Sequence, residues 1–366
     1  MNSKERVKMA LLRTGVPDRA PLQFDLCRSL LEAFGRKYGI PVRYTTSYFE
    51  DVTYRISAND LRTQMGSDCV VVGGSLPRGY AHPRTPDGCI INEFGMKMRQ
   101  GLLYMEIVES PLAGVASAAE VERFPFPDPL ADGRFDDAAE IIRIFGDRSF
   151  VIGDVELTMF EMAWHMVGLE KFAVDMASDE PYVGALLDRV KAFSIAVGKR
   201  LVELGVDAIW LGDDVGTQTG MMISPRMWRR IFKPRMAEII AELRATRSDI
   251  IIAYHCDGAV APILGDLAEI GVQVFNPVQP NVPGHDPRAL KQQFGDRLAF
   301  WGAIDQQALL PRGTPEQIAA DVREKIAVLG AGGGYMVAPA HIIQSDTSLD
   351  NVEAFIAAAR QSGPLS

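Results

Sequence analysis

Short runs of β-branched and apolar residues alternate along the chain with longer segments whose apolar positions have helical spacing. This alternation is typical of βαβ units, in which helices join parallel strands. Eight strands separated by helices favour a closed (β/α)8 TIM barrel over an open doubly wound sheet. No GxGxxG motif follows the first run, as a dinucleotide-binding sheet would require. The predicted strands are 20–24, 68–72, 149–154, 208–211, 250–254, 272–275, 298–301 and 335–338.

Two segments depart from this alternation. Residues 78–114 are rich in Gly and Pro and lack helical periodicity, which predicts an inserted β-hairpin region after the second strand. Residues 158–204 are helical in pattern, with breaks near Gly168 and at 179–181. Ser224 is a typical N-cap and Pro225 suits the first position of the helix that follows. We expect all 366 residues to form one TIM-barrel domain.

The composition narrows the class of protein. The net charge is −9, and no cluster of Lys and Arg stands out, so neither nucleic acid nor an anionic membrane is an expected partner. The four cysteines form no CxxC pair, which in a chain of this length indicates reduced thiols. The N-terminus is charged and no apolar run reaches transmembrane length. We therefore expect a cytoplasmic protein.

Polar residues follow most of the predicted strands. In TIM barrels the residues just past the carboxyl ends of the strands face the active site. Loop polarity alone is ordinary, but two of only five histidines lie at such ends. The candidate residues are Glu156, Asp213, Asp214, His255, Asp257, Asn276, Gln279, Asp305, His341 and Gln344.

His255 and Asp257 are two residues apart at one strand end, so both side chains can face the same cavity. With His341 and Glu156 they form a set of imidazoles and carboxylates that suits Zn²⁺ or a similar divalent ion. The alternative is that the two histidines only cap strand ends through hydrogen bonds. Cys256 lies between two candidate ligands, so its side chain is expected to point towards the barrel wall, and no basic partner would activate its thiol.

Asp213 and Asp214 are adjacent carboxylates at another strand end. In a low-dielectric mouth one of them would have a raised pKa and could act as a general base or position a substrate. The alternative is a solvated pair that caps the next turn. Met221 lies in a following loop, where it either lines an apolar pocket or packs beneath the loop. The remaining histidines, His82, His165 and His285, are expected to be structural or exposed.

Several motifs along nearly the whole chain resemble the uroporphyrinogen decarboxylase-like superfamily. The resemblance implies the TIM-barrel fold and a site at the mouth of the barrel. It also implies one of two chemistries, decarboxylation or corrinoid-linked methyl transfer. The matching segments are 4–7 with 17–21, 224–225 with 232–234, 255–258, 276–279, 301–305, 310–315 and 333–341.

The motifs of the two branches match this sequence differently. True uroporphyrinogen decarboxylases have an Arg-rich loop after the first strand, where this chain keeps only Arg28 and adds Asp25. The coenzyme M methyltransferases hold zinc with one histidine and two cysteines. Carried over, these positions fall on His255, Asp257 and His341, which gives a harder ligand set than thiolates do.

From the resemblance we expect a metal-dependent methyltransferase of a corrinoid-linked system. One form of it would be an O-demethylase component acting on a small methoxylated compound. The ligands would be His255, Asp257 and His341, with zinc as the ion and a corrinoid carried by a partner protein. The catalytic set would be Glu156, Asp213, Asp214 and His341, and the substrate contacts Asn276, Gln279, Asp305, Gln344 and Met221. The alternatives are a decarboxylase with a small or less anionic substrate and a non-catalytic binding barrel; a homodimer is left open.

Overall fold

The computed structural model describes residues 1–49, 53–101 and 105–365. Among its helices, none has the length and apolar character needed to cross a bilayer. The strands in these residues are β1 (Cys69–Gly73), β2 (Ile90–Ile91), β3 (Lys97–Gln100), β4 (Met105–Glu109), β5 (Phe150–Glu156), β6 (Ala208–Gly212), β7 (Ile251–His255), β8 (Val274–Val278), β9 (Ala299–Ile304) and β10 (Tyr335–Pro339). The helices are α1 (Ser3–Leu12), α2 (Arg28–Tyr38), α3 (Thr53–Ile56), α4 (Asn59–Met65), α5 (Ala118–Arg123), α6 (Asp136–Phe145), α7 (Phe160–Val167), α8 (Leu169–Ala177), α9 (Pro181–Leu204), α10 (Pro225–Ile231), α11 (Lys233–Thr246), α12 (Leu264–Glu269), α13 (Pro287–Phe294), α14 (Leu309–Arg312), α15 (Pro315–Leu329) and α16 (Leu349–Arg360).

Seven of the described strands form one parallel sheet in the order β1-β5-β6-β7-β8-β9-β10. The first predicted strand, 20–24, completes the set of eight as a segment that makes isolated bridges, from Leu22 to Val337 and, just beyond it, from Leu26 to Ile343. The Leu22 carbonyl also accepts a 2.8 Å hydrogen bond from the Asp68 amide just before β1. This segment therefore links the two edges of the sheet, and the predicted TIM-barrel fold is confirmed.

Alternate residues of each strand face two different layers. Residues such as Ile152, Trp210 and Ala253 pack together inside the barrel. Their neighbours, such as Val151 and Ile209, pack against the surrounding helices. Because the side-chain period of a strand is two, a polar residue two positions beyond an interior residue also points inwards. This period determines which groups reach the mouth.

The inserted region after β1 forms a small antiparallel sheet in the order β2-β3-β4. The ring of Phe94 packs edge-on against Phe193 of α9, with the ring centroids 5.2 Å apart. Glu93 forms a 2.6 Å ion pair with Arg134, whose side chain is fully buried. These contacts fasten the insertion to the barrel, in agreement with the excursion predicted for 78–114.

The amino-terminal end of the barrel carries two buried carboxylates with complete sets of partners. Asp68 accepts hydrogen bonds of 2.7–2.8 Å from Ser3, Arg6, Arg19 and the Leu22 amide. Near it, one oxygen of Asp207 lies 3.1 Å from Lys4 Nζ and 2.8 Å from Lys8 Nζ, and the other accepts from the Val151 amide at 3.0 Å. Several of these donors come from α1, which closes this end.

Candidate metal centre at the barrel mouth

His255 is the last residue of β7 and continues the inward-facing series of that strand. Its side chain is buried, and Nδ1 lies 2.8 Å from Oδ1 of Asn276 on β8. An amide oxygen can only accept, so Nδ1 carries the hydrogen and donates it. The other ring nitrogen, Nε2, is therefore left with a free lone pair. This is the usual way in which a metal-ligating histidine is oriented.

Two carboxylates and a second imidazole lie beside that lone pair. His255 Nε2 is 3.7 Å from Oδ1 of Asp214 and 3.8 Å from Oδ1 of Asp257. One ligand atom from each of these three residues lies within 4.8 Å of the others. His341 approaches from the loop after β10, with Nε2 3.5 Å from Oδ2 of Asp257. Asp214 is also fixed, since its Oδ1 accepts a 2.7 Å hydrogen bond from the Asp257 amide.

Glu156, at the end of β5, forms the next part of the cluster. Its Oε2 is paired with Nη1 of Arg55, a buried side chain whose guanidinium lies 4.6 Å from the centroid of the Trp210 ring. Its Oε1 is 3.3 Å from Nδ1 of His255 but accepts no hydrogen bond from the residues described. Arg55 thus compensates the charge of Glu156 and leaves one carboxylate oxygen available.

Burial shifts the ionisation of these groups in opposite directions. It raises the pKa of Asp214 to about 7, with a further contribution from Asp257, and it raises the pKa of Asp257 itself to about 7. Burial, with the nearby Arg55 charge, lowers the pKa of His341 to about 4 and holds that of His255 well below its usual value. Both imidazoles are therefore neutral at physiological pH, which is the form that binds metals.

The donor set fits a divalent cation. Asp257 Oδ1 is buried and accepts no hydrogen bond from the described residues, and it faces the free lone pair of His255. Lone pairs that converge without an intervening hydrogen repel one another, and a cation removes this repulsion. Neutral imidazole with carboxylate oxygen is a donor set that zinc accepts. The residues that would hold the ion are Asp214, His255 and Asp257, with His341 beside Asp257.

A cavity of about 280 Å³ opens beside this cluster. Its polar lining includes Asp214, His255 and His341. Its wall also carries Leu157, Ile342, Phe49 and His165, and the last two rings stack with centroids 5.2 Å apart. The residues lining it are Phe49, Arg55, Glu156, Leu157, Glu161, His165, Asp214, His255, His341 and Ile342.

Asp213 is turned away from the cluster, although it precedes Asp214. Its carboxylate accepts hydrogen bonds from the amides of Met159 and Glu161 at 2.9–3.1 Å, where α7 begins. Burial nevertheless raises the pKa of Asp213 to about 7. These contacts make Asp213 a buried cap of α7, which differs from the alternative of a solvated pair that caps the next turn, and its catalytic role stays a prediction.

The residues predicted to contact substrate lie at different distances from the cluster. Gln279 and Asp305 line a small neighbouring cavity together with Asp257 and His341. Gln279 Oε1 accepts from the Gly258 amide at 2.9 Å, and Asp305 accepts from the amides of 307–309 as the cap of α14. Asn276 contacts His255 as described above. Their roles towards a substrate stay predictions.

Gln344 and Met221 are absent from the lining of these two cavities, among the residues described. Gln344 Nε2 donates to the Ile342 carbonyl at 3.2 Å, and Met221 packs against the hydrophobic core. Cys256 is buried, and its thiol accepts a 3.3 Å hydrogen bond from the Val215 amide, so it points away from the cluster as expected. His285 accepts from the Val260 amide at 3.2 Å.

Sequence reasoning missed four residues at the site: Arg55, Glu161, Phe49 and His165. Arg55 and Phe49 lie between the first two predicted strands, in a stretch where no strand end marks them. Glu161 and His165 are on α7, one turn apart, and that spacing was a usable signal because residues i and i+4 share a helix face. Only the fold brings these two stretches together.

The chain resembles known proteins in both sequence and fold. A family model described as "Uroporphyrinogen decarboxylase (URO-D)" matches residues 92–362. The methylated-thiol--coenzyme M methyltransferase of Methanosarcina mazei is 25% identical over 55% of this chain and 51% of its own length. The uroporphyrinogen decarboxylase of Methylococcus capsulatus is 25% identical over 68% of this chain and 71% of its own.

Two further matches are a curated relative and a solved structure. The methylcobamide:CoM methyltransferase MtbA of Methanosarcina acetivorans is 26% identical over 63% of this chain and 65% of its own length. The solved structure of a methyltransferase from Methanosarcina mazei superposes with a TM-score of 0.68 at 21% identity, covering 99% of both chains. That likeness shows the fold. With the family model matching most of the sequence, the predicted superfamily is confirmed: the chain belongs to the uroporphyrinogen decarboxylase (URO-D) family.

Proposed function

We propose that this protein is a metal-dependent methyltransferase of a corrinoid-linked system. The observation that carries the proposal is the convergence of the His255 lone pair with Asp214 and Asp257, beside a cavity of about 280 Å³. The names of the relatives support methyl transfer, since three of those that match are methyltransferases and one is a decarboxylase. We propose zinc as the ion, with Glu156 as a further ligand or a base.

Two neighbouring residues hold the proposed ligands in position. Asn276 fixes the tautomer of His255, and Arg55 holds Glu156 beside it. Bound there, a divalent ion would act as a Lewis acid and polarise a substrate atom. Oxygen and nitrogen ligands keep such an ion harder than thiolates would. A methoxy oxygen suits this ion better than a thiol does, so we propose a small methoxylated compound as methyl donor and an O-demethylase role.

Besides the methoxylated compound, the reaction would need another carrier of the methyl group, and we propose a corrinoid bound to a partner protein. Two relatives carry methylcobamide in their names, which supports this choice. The cavity, at about 280 Å³, is smaller than the usual pocket for a drug-sized ligand, and a corrinoid is larger than such a ligand, so it could not enter the cavity whole. We therefore place the partner protein at the mouth of the barrel, above the cluster.

Metal content tests the proposal directly. Protein purified from zinc-supplemented cells should hold about one divalent ion per chain by elemental analysis, and His255→Ala should lose it because one of the ligands is removed. His82→Ala, which changes a half-buried histidine of the insertion region, is the matched control and should keep the ion. A metal-free protein with full methyltransferase activity would contradict the proposal.

A decarboxylase remains the second candidate, because one relative bears that activity. The charges at the mouth argue against uroporphyrinogen as its substrate. Arg28 is exposed and paired with Glu32, and Arg55 is committed to Glu156. We expect no useful turnover of uroporphyrinogen, because Arg55 is the one guanidinium among the described residues that line the cavity and it is already paired. Chromatographic detection of coproporphyrinogen at ordinary enzymatic rates would favour the decarboxylase instead.

A further inference from the structure

The cavity wall also combines a carboxylate with two stacked aromatic rings. Glu161 and His165 lie one turn apart on α7, and both line the cavity. The ring of Phe49 stacks on His165 with an interplanar angle of 12°. Burial lowers the pKa of His165 to about 3, so this imidazole is neutral and presents a ring rather than a charge. Leu157 and Ile342 complete an otherwise apolar wall.

The charges around the cavity are not balanced. Of the described residues that line it, Arg55 is the one with a permanent positive charge, and it is paired with Glu156. A divalent ion at the metal centre would compensate Asp214 and Asp257, which leaves Glu161 without a counter-charge. Oε2 of Glu161 accepts a 2.9 Å hydrogen bond from the Asp214 amide, while Oε1 accepts none from the described residues.

A second group points to a missing cation. Glu156 is more than nine-tenths buried and lines the same cavity, yet its Oε1 accepts no hydrogen bond from the described part of the chain. Buried polar atoms in folded proteins almost always have partners.

We propose that the cavity binds a small methylated ammonium group between the Glu161 carboxylate and the rings of Phe49 and His165. The inference rests on the proposed function only in taking the bound molecule to be the substrate. Aromatic faces next to a carboxylate form the arrangement that recognises alkylated ammonium groups, because the ring quadrupole attracts the diffuse charge. An anionic substrate would face a surplus of carboxylates, and the one guanidinium among the described lining residues, Arg55, is already paired. The methyl donor would then carry a cationic group next to Glu161 and its reacting heteroatom near the metal centre.

Binding of choline, measured by calorimetry, tests the inference. The control ligand is dimethylbutanol, the neutral isostere in which carbon replaces the ammonium nitrogen. We expect choline to bind more tightly than the isostere, and Glu161→Gln to weaken choline binding about tenfold by removing the charge while keeping an acceptor for the Asp214 amide. Glu170→Gln removes an exposed carboxylate on α8 and should leave binding unchanged.

A second variant, and measurements with and without the proposed metal site, separate this inference from the metal proposal. Phe49→Leu should weaken choline binding about threefold and leave the isostere unaffected. Equal affinities for choline and the isostere, or equal effects of Glu161→Gln and Glu170→Gln, would overturn the inference. In His255→Ala, choline binding that still depends on Glu161 supports the inference even if the metal proposal fails. A zinc-loaded wild type that prefers an anionic methoxybenzoate over choline would overturn the inference and leave the metal proposal standing.

Discussion

The two ends of the barrel use buried carboxylates in opposite ways. At the amino-terminal end, Asp68 is contacted by two arginines, a serine and a backbone amide, and Asp207 by two lysines and an amide. At the carboxyl end, Asp214 and Asp257 lie close to His255, and the guanidinium of Arg55 is paired with Glu156. The first set is complete within the chain, whereas Oδ1 of Asp257 accepts no hydrogen bond from the described residues.

This difference separates stability from function. In TIM barrels the bottom face serves stability and the mouth carries the chemistry. A buried charge with all its partners is strongly destabilising to disrupt, because the remaining partners stay buried without it. A cluster of under-compensated carboxylates instead raises the free energy of the folded protein until a ligand binds. The comparison therefore predicts different responses to mutation and to pH at the two ends.

The largest effect is expected at the bottom of the barrel. Asp68→Ala should lower the free energy of unfolding by about 3–5 kcal/mol, because it leaves the buried guanidinium of Arg6 and its neighbour Arg19 without their shared carboxylate. Denaturant unfolding measures this. Asp132→Ala, at an exposed aspartate, is the control and should change stability by less than about 0.5 kcal/mol. A loss as small as that of the control would end the distinction drawn between the two ends.

The mouth should make the ion-free protein less stable as pH rises. Burial raises the pKa of Asp154, Asp213, Asp214 and Asp257 to about 7 each. A carboxyl group with a raised folded-state pKa stabilises the fold below its unfolded pKa of about 3.9, and this stability is lost as pH rises towards the folded value. The difference between the wild type and Asp257→Asn isolates one such group, because the histidines whose pKa burial lowers oppose this trend equally in both proteins. Between about pH 5 and pH 7 the free energy of unfolding of the wild type should fall by about 2 kcal/mol relative to that variant.

Urea unfolding in the presence of a chelator, repeated across that pH range, measures the slope. Added Zn²⁺ should reduce it, because an ion bound to the carboxylates favours their ionised form. A chelated wild type whose stability changes with pH in the same way as that of Asp257→Asn would contradict the interpretation of the mouth as an under-compensated cluster.

The smallest effect is expected for Asp305, a mouth residue whose carboxylate already accepts hydrogen bonds from backbone amides. Asp305→Ala should cost about 1 kcal/mol, because the carboxylate caps α14 through the amides of 307–309. Metal content, measured alongside thermal unfolding, should stay at the wild-type level. If this variant lost the ion, Asp305 would belong with the ligands, and the division between capping and ion-binding carboxylates at the mouth would be wrong.

Much of the site could be located from strand ends alone. The carboxyl ends of parallel strands lie at one mouth of a barrel. This rule alone predicts that His255, Asp257, Glu156 and His341 lie close together, and the fold brings them together. The alternatives for Asp213 and Asp214 could not be separated in this way. Asp213 contacts the start of α7, whereas Asp214 contacts Asp257 of the candidate metal centre. The bend of one loop decides which of the two carboxylates takes which of these positions.

The sequence by itself determined the order of strands, the barrel, the family and the set of groups available at the mouth, because these depend on periodicity and on motifs read along the chain. The tertiary structure alone decided that Asp214 joins His255 and Asp257, that Arg55 compensates Glu156, and that Phe49 stacks on His165 of α7. The physical reason is that charge balance and cavity shape are properties of side chains from distant segments. No local pattern records whether a buried carboxylate will find a guanidinium or another carboxylate beside it.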